Sequence, residues 1–388
     1  MEPFKRTVRD KPLRILSTSD WHLGNARVSA SAICDRLRTV LFPRLTTCDL
    51  LNIGGDVWHT LLTFSDEANV IIALIIDLLR LCHTHNVVVR VLLGTFTHDR
   101  NQSSLFAIYH EKCRFTNDLR YIDQVCLEWI ESLDLRILYL PDDLPYESSD
   151  ACLEAVFEMM RTRGWTWVDY VFGHGYFEHM LPDIPKKPRC TFRTEQFIPF
   201  VRRYVLMGHV HLSDQTGNVI YNNSFDRIAH GEEAPKGCVE IEDYGDTAKL
   251  RIVENPDATR FITLDLSNDT DKETVCQAYL DRLKERFIKG VPGYVRVIHP
   301  STEIRHALRQ LTTSQWPELT YASEVSHRQS DADTHNTSHH PFDVATYPTP
   351  TEATLPQMVV SFLEKNRHGH LSLERITTIL SDLTITKS

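Results

Sequence analysis

Carboxylate and imidazole side chains gather at five places in this 388-residue chain, each directly after a short apolar run. Ile15 to Thr18 ends in Ser19-Asp20-Trp21-His22, Leu50 to Ile53 in Gly54-Gly55-Asp56-Val57-Trp58-His59, and Val87 to Leu93 in Gly94-Thr95-Phe96-Thr97-His98-Asp99. Tyr170 to Phe172 is closed by Gly173-His174-Gly175, and Tyr204 to Met207 by Gly208-His209-Val210-His211. Oxygen and imidazole nitrogen without thiolate suit Mn²⁺, Fe²⁺ or Zn²⁺ in a reactive site better than a structural zinc. In extended backbone, side chains at i and i+2 share a face, so Asp20 and His22 are expected to address one ion, and His209 and His211 repeat that spacing. Two glycines let the chain turn tightly before Asp56. A carboxylate set between two groups of ligands can bridge two cations about 3.5–4 Å apart.

The elements that must position these residues follow from the same runs. Continuous apolar, often β-branched runs of this length suit strands buried on both faces, and Leu135 to Leu140 adds one more. Helical segments lie between several of them. The clearest is Ser65 to His85, where Ser65 can cap the first turn and Asp66 and Glu67 favour its positive end. Strands alternating with helices predict a layered α/β sheet, in which ligands collect beyond the carboxyl ends of strands, so the five clusters should converge. Arg120 to Trp129 reads as a hairpin. Beyond His211, short β-like runs at Val219 to Tyr221, Gly237 to Ile241, Leu250 to Val253 and Phe261 to Leu264 predict a second sheet packed on the first. A charged helix from Asp269, a strand at Tyr294 to Ile298 and a helix from Thr302 to Leu311 predict a small α/β unit over residues 268–324. Residues 325–352, rich in Ser, Thr, Asp, His and Pro, read as a linker. Over 353–388, two apolar stripes at helical spacing, Leu355 to Leu363 and Leu373 to Leu383, predict helices too small for a core of their own.

Asp20-x-His22, Gly55-Asp56, His98-Asp99, His174 and Gly208-His209-x-His211, in this order, resemble the calcineurin-like metallophosphoesterase signature. Ile220 to Arg227, followed by Glu232-Glu233 and Lys236-Gly237, resembles the stretch beyond the last ligands in SbcD-type DNA repair nucleases, the bacterial and phage counterparts of the meiotic-recombination nuclease. The resemblance implies a layered β-sandwich metallophosphoesterase core flanked by helices over 1–267. It further implies a small α/β capping domain that meets DNA over 268–324, and a carboxyl-terminal helical segment that binds an SbcC-like coiled-coil ATPase. Asp20, His22, Asp56 and His211 would surround one ion and Asp56, His174 and His209 the other, with Asp56 shared. His98 matches the family's catalytic histidine, Asp99 would orient it, and His59 would lie near the substrate strand. Two Mn²⁺ ions are the implied cofactors, Mg²⁺ or another divalent ion being the alternative. The implied activity is exonuclease on duplex ends and endonuclease on single strands or hairpins, in DNA repair, recombination or replication. One departure stands out: the family writes Gly-Asn-His followed by Asp or Glu, whereas two extra residues follow Gly94 here. Thr97 is then expected where the asparagine ligand belongs, and its shorter hydroxyl predicts a weaker second ion.

Composition bounds how such a site could meet DNA. With 42 Lys+Arg against 52 Asp+Glu the formal charge is -10, which argues against broad adhesion to nucleic acid and for local contact. Lys186, Lys187, Arg189, Arg193, Arg202 and Arg203 stand against a lone Glu195, and Arg282, Lys284, Arg286, Lys289 and Arg296 form a second basic stretch; both are candidate phosphate contacts. Nine cysteines without a C-x-x-C pair argue against a disulfide framework or a zinc-thiolate site. No apolar run approaches the ~18 residues of a membrane span, and Met1 to Lys11 is charged, so no membrane partner and a cytoplasmic location are expected. A homodimer is left open. Two rival readings remain: a phosphatase or small-molecule phosphodiesterase on the same core, against which stand Ile220 to Gly237 and the units after Asp269, and a DNA-holding scaffold with decayed chemistry, against which stand Asp20, His98 and His209.

Overall fold

The computed structural model describes residues 8–324 apart from 64, 143, 182–187, 269 and 300, and these belong to one compact unit. The expected linker over 325–352, the helical segment over 353–388, and Lys186 and Lys187 lie outside the described residues.

Strands β1 (Leu13–Thr18), β2 (Leu50–Ile53), β3 (Val88–Leu92) and β4 (Leu119–Ile122) run parallel in one six-stranded sheet. Gly237–Asp243 pairs antiparallel with β1, and Ala248–Glu254 pairs in turn with it, so these two late strands extend the first sheet. In a second six-stranded sheet, β5 (Cys126–Ile130) pairs antiparallel with β6 (Leu135–Leu140), and β6, β7 (Tyr170–His174), Val205–Gly208 and Val219–Tyr221 run parallel.

Strand alternation sorts the apolar side chains into layers. Ile15, Leu50, Val88 and Leu92 of the first sheet share one buried cluster with Ile137, Tyr139, Tyr170, Phe172, Leu206 and Ile220 of the second, so this cluster lies between the sheets. Their neighbours Leu16, Leu51, Ile53, Val89 and Val91 pack on the helices Ala30–Val40 and Asp66–Thr84. On the far side, Leu138, Leu140, Val171, Val205 and Met207 pack on the helix Ser149–Thr162. Central strands are therefore buried on both faces, which is why they read as unbroken apolar runs. Helix Asp66–Thr84 begins as its sequence predicts, with Ser65 accepting from the Ala68 N–H. None of the described helices is long and apolar enough to cross a membrane.

The expected hairpin over Arg120 to Trp129 is instead the crossover between sheets: β4 pairs with β3, β5 with β6, and the hairpin is β5–β6. Its alternation is weak because each of its two strands is the edge of a different sheet. Arg90 of β3, 1% exposed, donates to Glu128 of β5 at 2.8 and 3.0 Å and to Asp118 at 2.7 and 3.1 Å. Tyr139 of β6 donates to the same Glu128 at 2.7 Å. One buried guanidinium thus ties the two sheets together.

Phe261 to Leu264 also departs from expectation. Arg260–Asp265 joins Gly293–Ile298 and Leu319–Glu324 in a small parallel sheet instead of a large one. Helices Lys272–Arg286 and Thr302–Gln315 cover it with their own core, including Val275, Tyr279, Leu283, Val295, Val297 and Leu308.

Removing one partner of a buried ion pair leaves the other charge uncompensated. Glu128→Ala should lower unfolding free energy by about 3 kcal/mol, the low end for such a loss because Asp118 still faces Arg90. The urea midpoint measures it, and Arg90→Met with Glu128→Leu should recover most of the loss. A Glu128→Ala midpoint equal to wild type would contradict the inter-sheet role.

Candidate metal centre

The ligand-type residues follow the carboxyl ends of β1, β2, β3 and Val205–Gly208, and His174 is the last residue of β7. Parallel strands in both sheets bring these ends together. The backbone there is not extended. Asp20 (φ 53), His22 (φ 47), Asp56 (φ 49) and His209 (φ 92) all lie in the left-handed region, which corrects the i, i+2 geometry expected for Asp20 and His22. Such conformations cost about 1–3 kcal/mol each and persist where surrounding structure imposes them. Here it does so by lacing two loops, with Asp20 N–H donating to Gly55 O at 3.0 Å and His22 N–H to Asp56 O at 3.1 Å. The approach is close enough to require glycine: a Cβ on Gly94 would stand 2.0 Å from the Asp56 nitrogen, and one on Gly55 2.6 Å from His174 Nδ1.

Two three-residue groups result, Asp20 with His22 and His211, and Asp56 with His174 and His209, the ligand atoms of each lying within 4.8 Å of one another. Asp56 reaches both. Its Oδ1 is 3.4 Å from His174 Nε2 and its Oδ2 is 3.9 Å from His22 Nε2. Ring nitrogens converge in pairs, His22 Nε2 with His211 Nε2 at 2.9 Å and His209 Nδ1 with His174 Nε2 at 3.2 Å. Asp20 and Asp56 are buried, at 0% and 2% exposure. Burial pushes both carboxyls up, but His211 and His174 outweigh it for Asp20, and His174 holds Asp56 at about 2. Burial likewise opposes charge on His211, yet its bonds to Asp20 and Glu232 raise it to about 9. Two buried anions surrounded by nitrogen donors call for positive charge, and nitrogen and oxygen donors without sulfur fit divalent cations. These residues could hold two.

Not every predicted residue stands where expected. Thr97 is exposed, and Thr95 takes its place at the ligands. The Thr95 hydroxyl lies 3.2 Å from Asp56 Oδ2, 3.1 Å from His209 Nδ1 and 3.4 Å from His174 Nε2, and its N–H donates to Asp56 Oδ1 at 2.5 Å. The reason is local: Phe96–Asp99 forms a single helical turn, so the two extra residues fall between Thr95 and His98 and leave Thr95 directly after Gly94. Counting from the glycine instead of from the histidine would have found it.

Asp99 is also reassigned. Fully buried, it accepts the backbone N–H of Gly94 at 2.8 Å and of Asp56 and Trp58 at 3.1 Å, so it fixes the two ligand loops and does not orient His98. His98 is held by the His59 carbonyl, 2.9 Å from its Nδ1. Its ring stacks on His59 with centroids 5.2 Å apart and stands edge-on to His22 at 5.0 Å. His59 Nδ1 is 3.4 Å from His22 Nδ1, so the predicted substrate contact is brought beside the first group, and His22, His59 and His98 form a third cluster of ligand type. Glu232, 2.8 Å from His211 Nδ1, is a partner that sequence position could not place.

Among the basic residues, Arg189 and Arg193 are exposed, with Arg193 3.7 Å from Asp150. Arg202 and Arg203 are engaged within the fold. Arg202 stacks on Trp167 at 4.3 Å, with Arg136 at 4.3 Å from the same ring, while Arg203 binds the Gly245 carbonyl and lies 3.8 Å from Asp243. In the small unit Arg296 binds Glu324 and Thr263, Lys289 lies over Trp316, and Arg282 is exposed.

No protein-family profile and no curated protein matches the chain. One solved structure aligns over 63% of this chain and 100% of its own at 12% identity, with a TM-score of 0.37. TT1561 of Thermus thermophilus aligns over 64% of this chain and 100% of its own at 10% identity, with a TM-score of 0.35. At these scores neither likeness informs function.

Metal content measures the two-group arrangement. After loading with Mn²⁺ and desalting, the wild-type chain should carry about two ions, His209→Ala about one, and Asp56→Ala fewer than either. Thr95→Val should lower the content while Thr97→Ala leaves it unchanged. The reverse order for the two threonines would restore Thr97 as the ligand.

Proposed function

We propose that this chain is a two-cation phosphodiesterase with a calcineurin-like metallophosphoesterase core, acting on DNA as an SbcD-type nuclease. The observation that carries the reading is the single carboxylate of Asp56 turned toward two histidine-containing ligand groups, with His98 beside them. The two sheets with helices on both outer faces agree with the sandwich core, and the small α/β unit with the capping domain. A phosphatase needs neither that unit nor the segment from Ile220 to Gly237.

Two divalent cations at these groups would provide a nucleophilic water at neutral pH and positive charge for the phosphoryl oxygens. The chain's own residues perform the rest. Asp20, His22 and His211 would hold one position and His174, His209 and the Thr95 hydroxyl the other, with Asp56 facing both. Asp99 keeps the Gly94 and Asp56 loops at fixed separation through three backbone bonds. His98 donates Nδ1–H to the His59 carbonyl, which fixes the ring and leaves Nε2 for substrate. In its protonated form Nε2 donates to the leaving oxygen of the broken phosphodiester. Arg189 and Arg193, on the chain between His174 and His209, and Arg282 of the small unit are among the exposed cations offered to the DNA backbone.

The activity we assign is exonuclease on duplex ends and endonuclease on single strands or hairpins, working in the cytoplasm in repair, recombination or replication. The partner we assign is an SbcC-like coiled-coil ATPase, bound through residues 353–388, whose sequence carries two apolar stripes at helical spacing.

The test incubates the full chain with Mn²⁺, with and without such an ATPase, on end-labelled duplex and hairpin DNA. His98→Ala should reduce cleavage by about 10²–10⁴-fold with metal content near wild type. Hydrolysis of a chromogenic phosphomonoester with no attack on either DNA would overturn the nuclease reading in favour of a phosphatase.

A further inference from the structure

Behind His211 lies a polar set that the proposed reaction does not use. Glu232 Oε1 is 2.8 Å from His211 Nδ1, and Glu232 Oε2 lies 3.4 Å from Lys236 Nζ. Lys236 Nζ donates to the His211 carbonyl at 2.6 Å and to Asn223 Oδ1 at 3.0 Å. The contacts close a ring: imidazole to carboxylate, carboxylate to ammonium, ammonium back to the carbonyl of the same histidine. Glu232 is further fixed by the Ile228 N–H at 3.1 Å, and Asn223, at φ 68, by donating to the Pro235 carbonyl.

Lys236 is 0% exposed, and an ammonium taken wholly out of water is expensive even when paired. An apolar residue of similar volume would serve stability as well or better, so the pair is not explained as a stabilising device. Its geometry points to a positional one. The other imidazoles lack this arrangement: His174 Nδ1 meets the neutral Gly54 carbonyl at 2.7 Å, and His22 Nδ1 faces His59. Among the described contacts, His211 is the one ligand histidine whose Nδ1 is bonded to a carboxylate.

We infer that Glu232 is a positioning residue for His211, and that it makes the group of Asp20, His22 and His211 the tighter of the two cation positions. By accepting Nδ1–H it selects the tautomer whose Nε2 lone pair faces Asp20, and its negative charge makes that nitrogen a stronger donor. Lys236 balances the charge of Glu232 and keeps it in the second rank, while its bond to the His211 carbonyl holds the backbone of the ligand. The inference rests on the metal centre of the proposed function and not on its DNA substrate.

The experiment titrates the metal-free full chain with Mn²⁺ and counts free ion by its electron paramagnetic resonance signal, with no substrate present. Wild type should bind in two steps. Glu232→Gln, which keeps the shape but not the charge, should weaken the tighter step about 10–100-fold and leave the looser step unchanged. Because Glu232→Gln leaves Lys236 buried without its counter-charge, Glu232→Gln with Lys236→Met is the companion variant; it should keep the metal-free urea midpoint of wild type and show at least the same loss at the tighter step. Wild-type affinity in both variants, or equal weakening of both steps, would overturn the positioning role. A wild-type chain that binds no Mn²⁺ would overturn the metal centre itself, and the inference with it.

Discussion

The arrangement depends on a single buried carboxylate. Asp56 is 2% exposed, it accepts from the Thr95 N–H at 2.5 Å, and its two oxygens face His174 and His22. An anion in that position requires compensating positive charge. Gly94 is glycine because a side chain there would overlap the Asp56 backbone. Asp99 spends its hydrogen-bonding capacity on the backbone of Gly94, Asp56 and Trp58, so the loops after β2 and β3 cannot separate. Left-handed backbone at Asp20, His22, Asp56 and His209 is the local cost of aiming four ligands inward.

The layered core explains how that cost is met. Strands buried on both faces leave their carboxyl ends little freedom, and the Arg90 contacts to Glu128 and Asp118 fix one sheet against the other. Candidate ligands from the first sheet, Asp20, His22 and Asp56, therefore meet candidate ligands from the second, His174, His209 and His211, at a defined separation. On the other side, Glu232 binds His211 while the next residue, Glu233, accepts the Thr263 N–H of the small sheet at 2.8 Å. Adjacent residues thus join the candidate metal group to the small α/β unit.

Much of this was legible in the sequence, for a physical reason. Apolar runs ending in Asp, His and Gly mark strand ends, and strand ends in α/β sheets converge, so Asp20, His22, Asp56, His174, His209 and His211 could be gathered without coordinates. What failed was whatever depended on backbone direction or on distant pairing. Nothing in Asp20-Trp21-His22 signals positive φ. The turn over Phe96–Asp99 decides between Thr95 and Thr97, and sequence spacing alone cannot see it. The resemblance implied Asp99 as the residue that orients His98, yet a helical turn points the two side chains to different neighbours. Gly237–Asp243 pairs with β1, more than 200 residues away, and local pattern carries no information on such a pairing. The net charge of -10 also reads differently once the site is placed: part of the acidic excess lies buried at the ligands, where cations would offset it.

The central proposal is that one carboxylate, Asp56, would serve two cations side by side. Low-temperature electron paramagnetic resonance of the chain loaded with two equivalents of Mn²⁺ tests it most directly. A bridging Asp56 predicts the multiline spectrum of a spin-coupled manganese pair, replaced in Asp56→Ala by the six-line signal of isolated ions. A six-line spectrum from the loaded wild-type chain would contradict the shared carboxylate and the two-cation chemistry built on it.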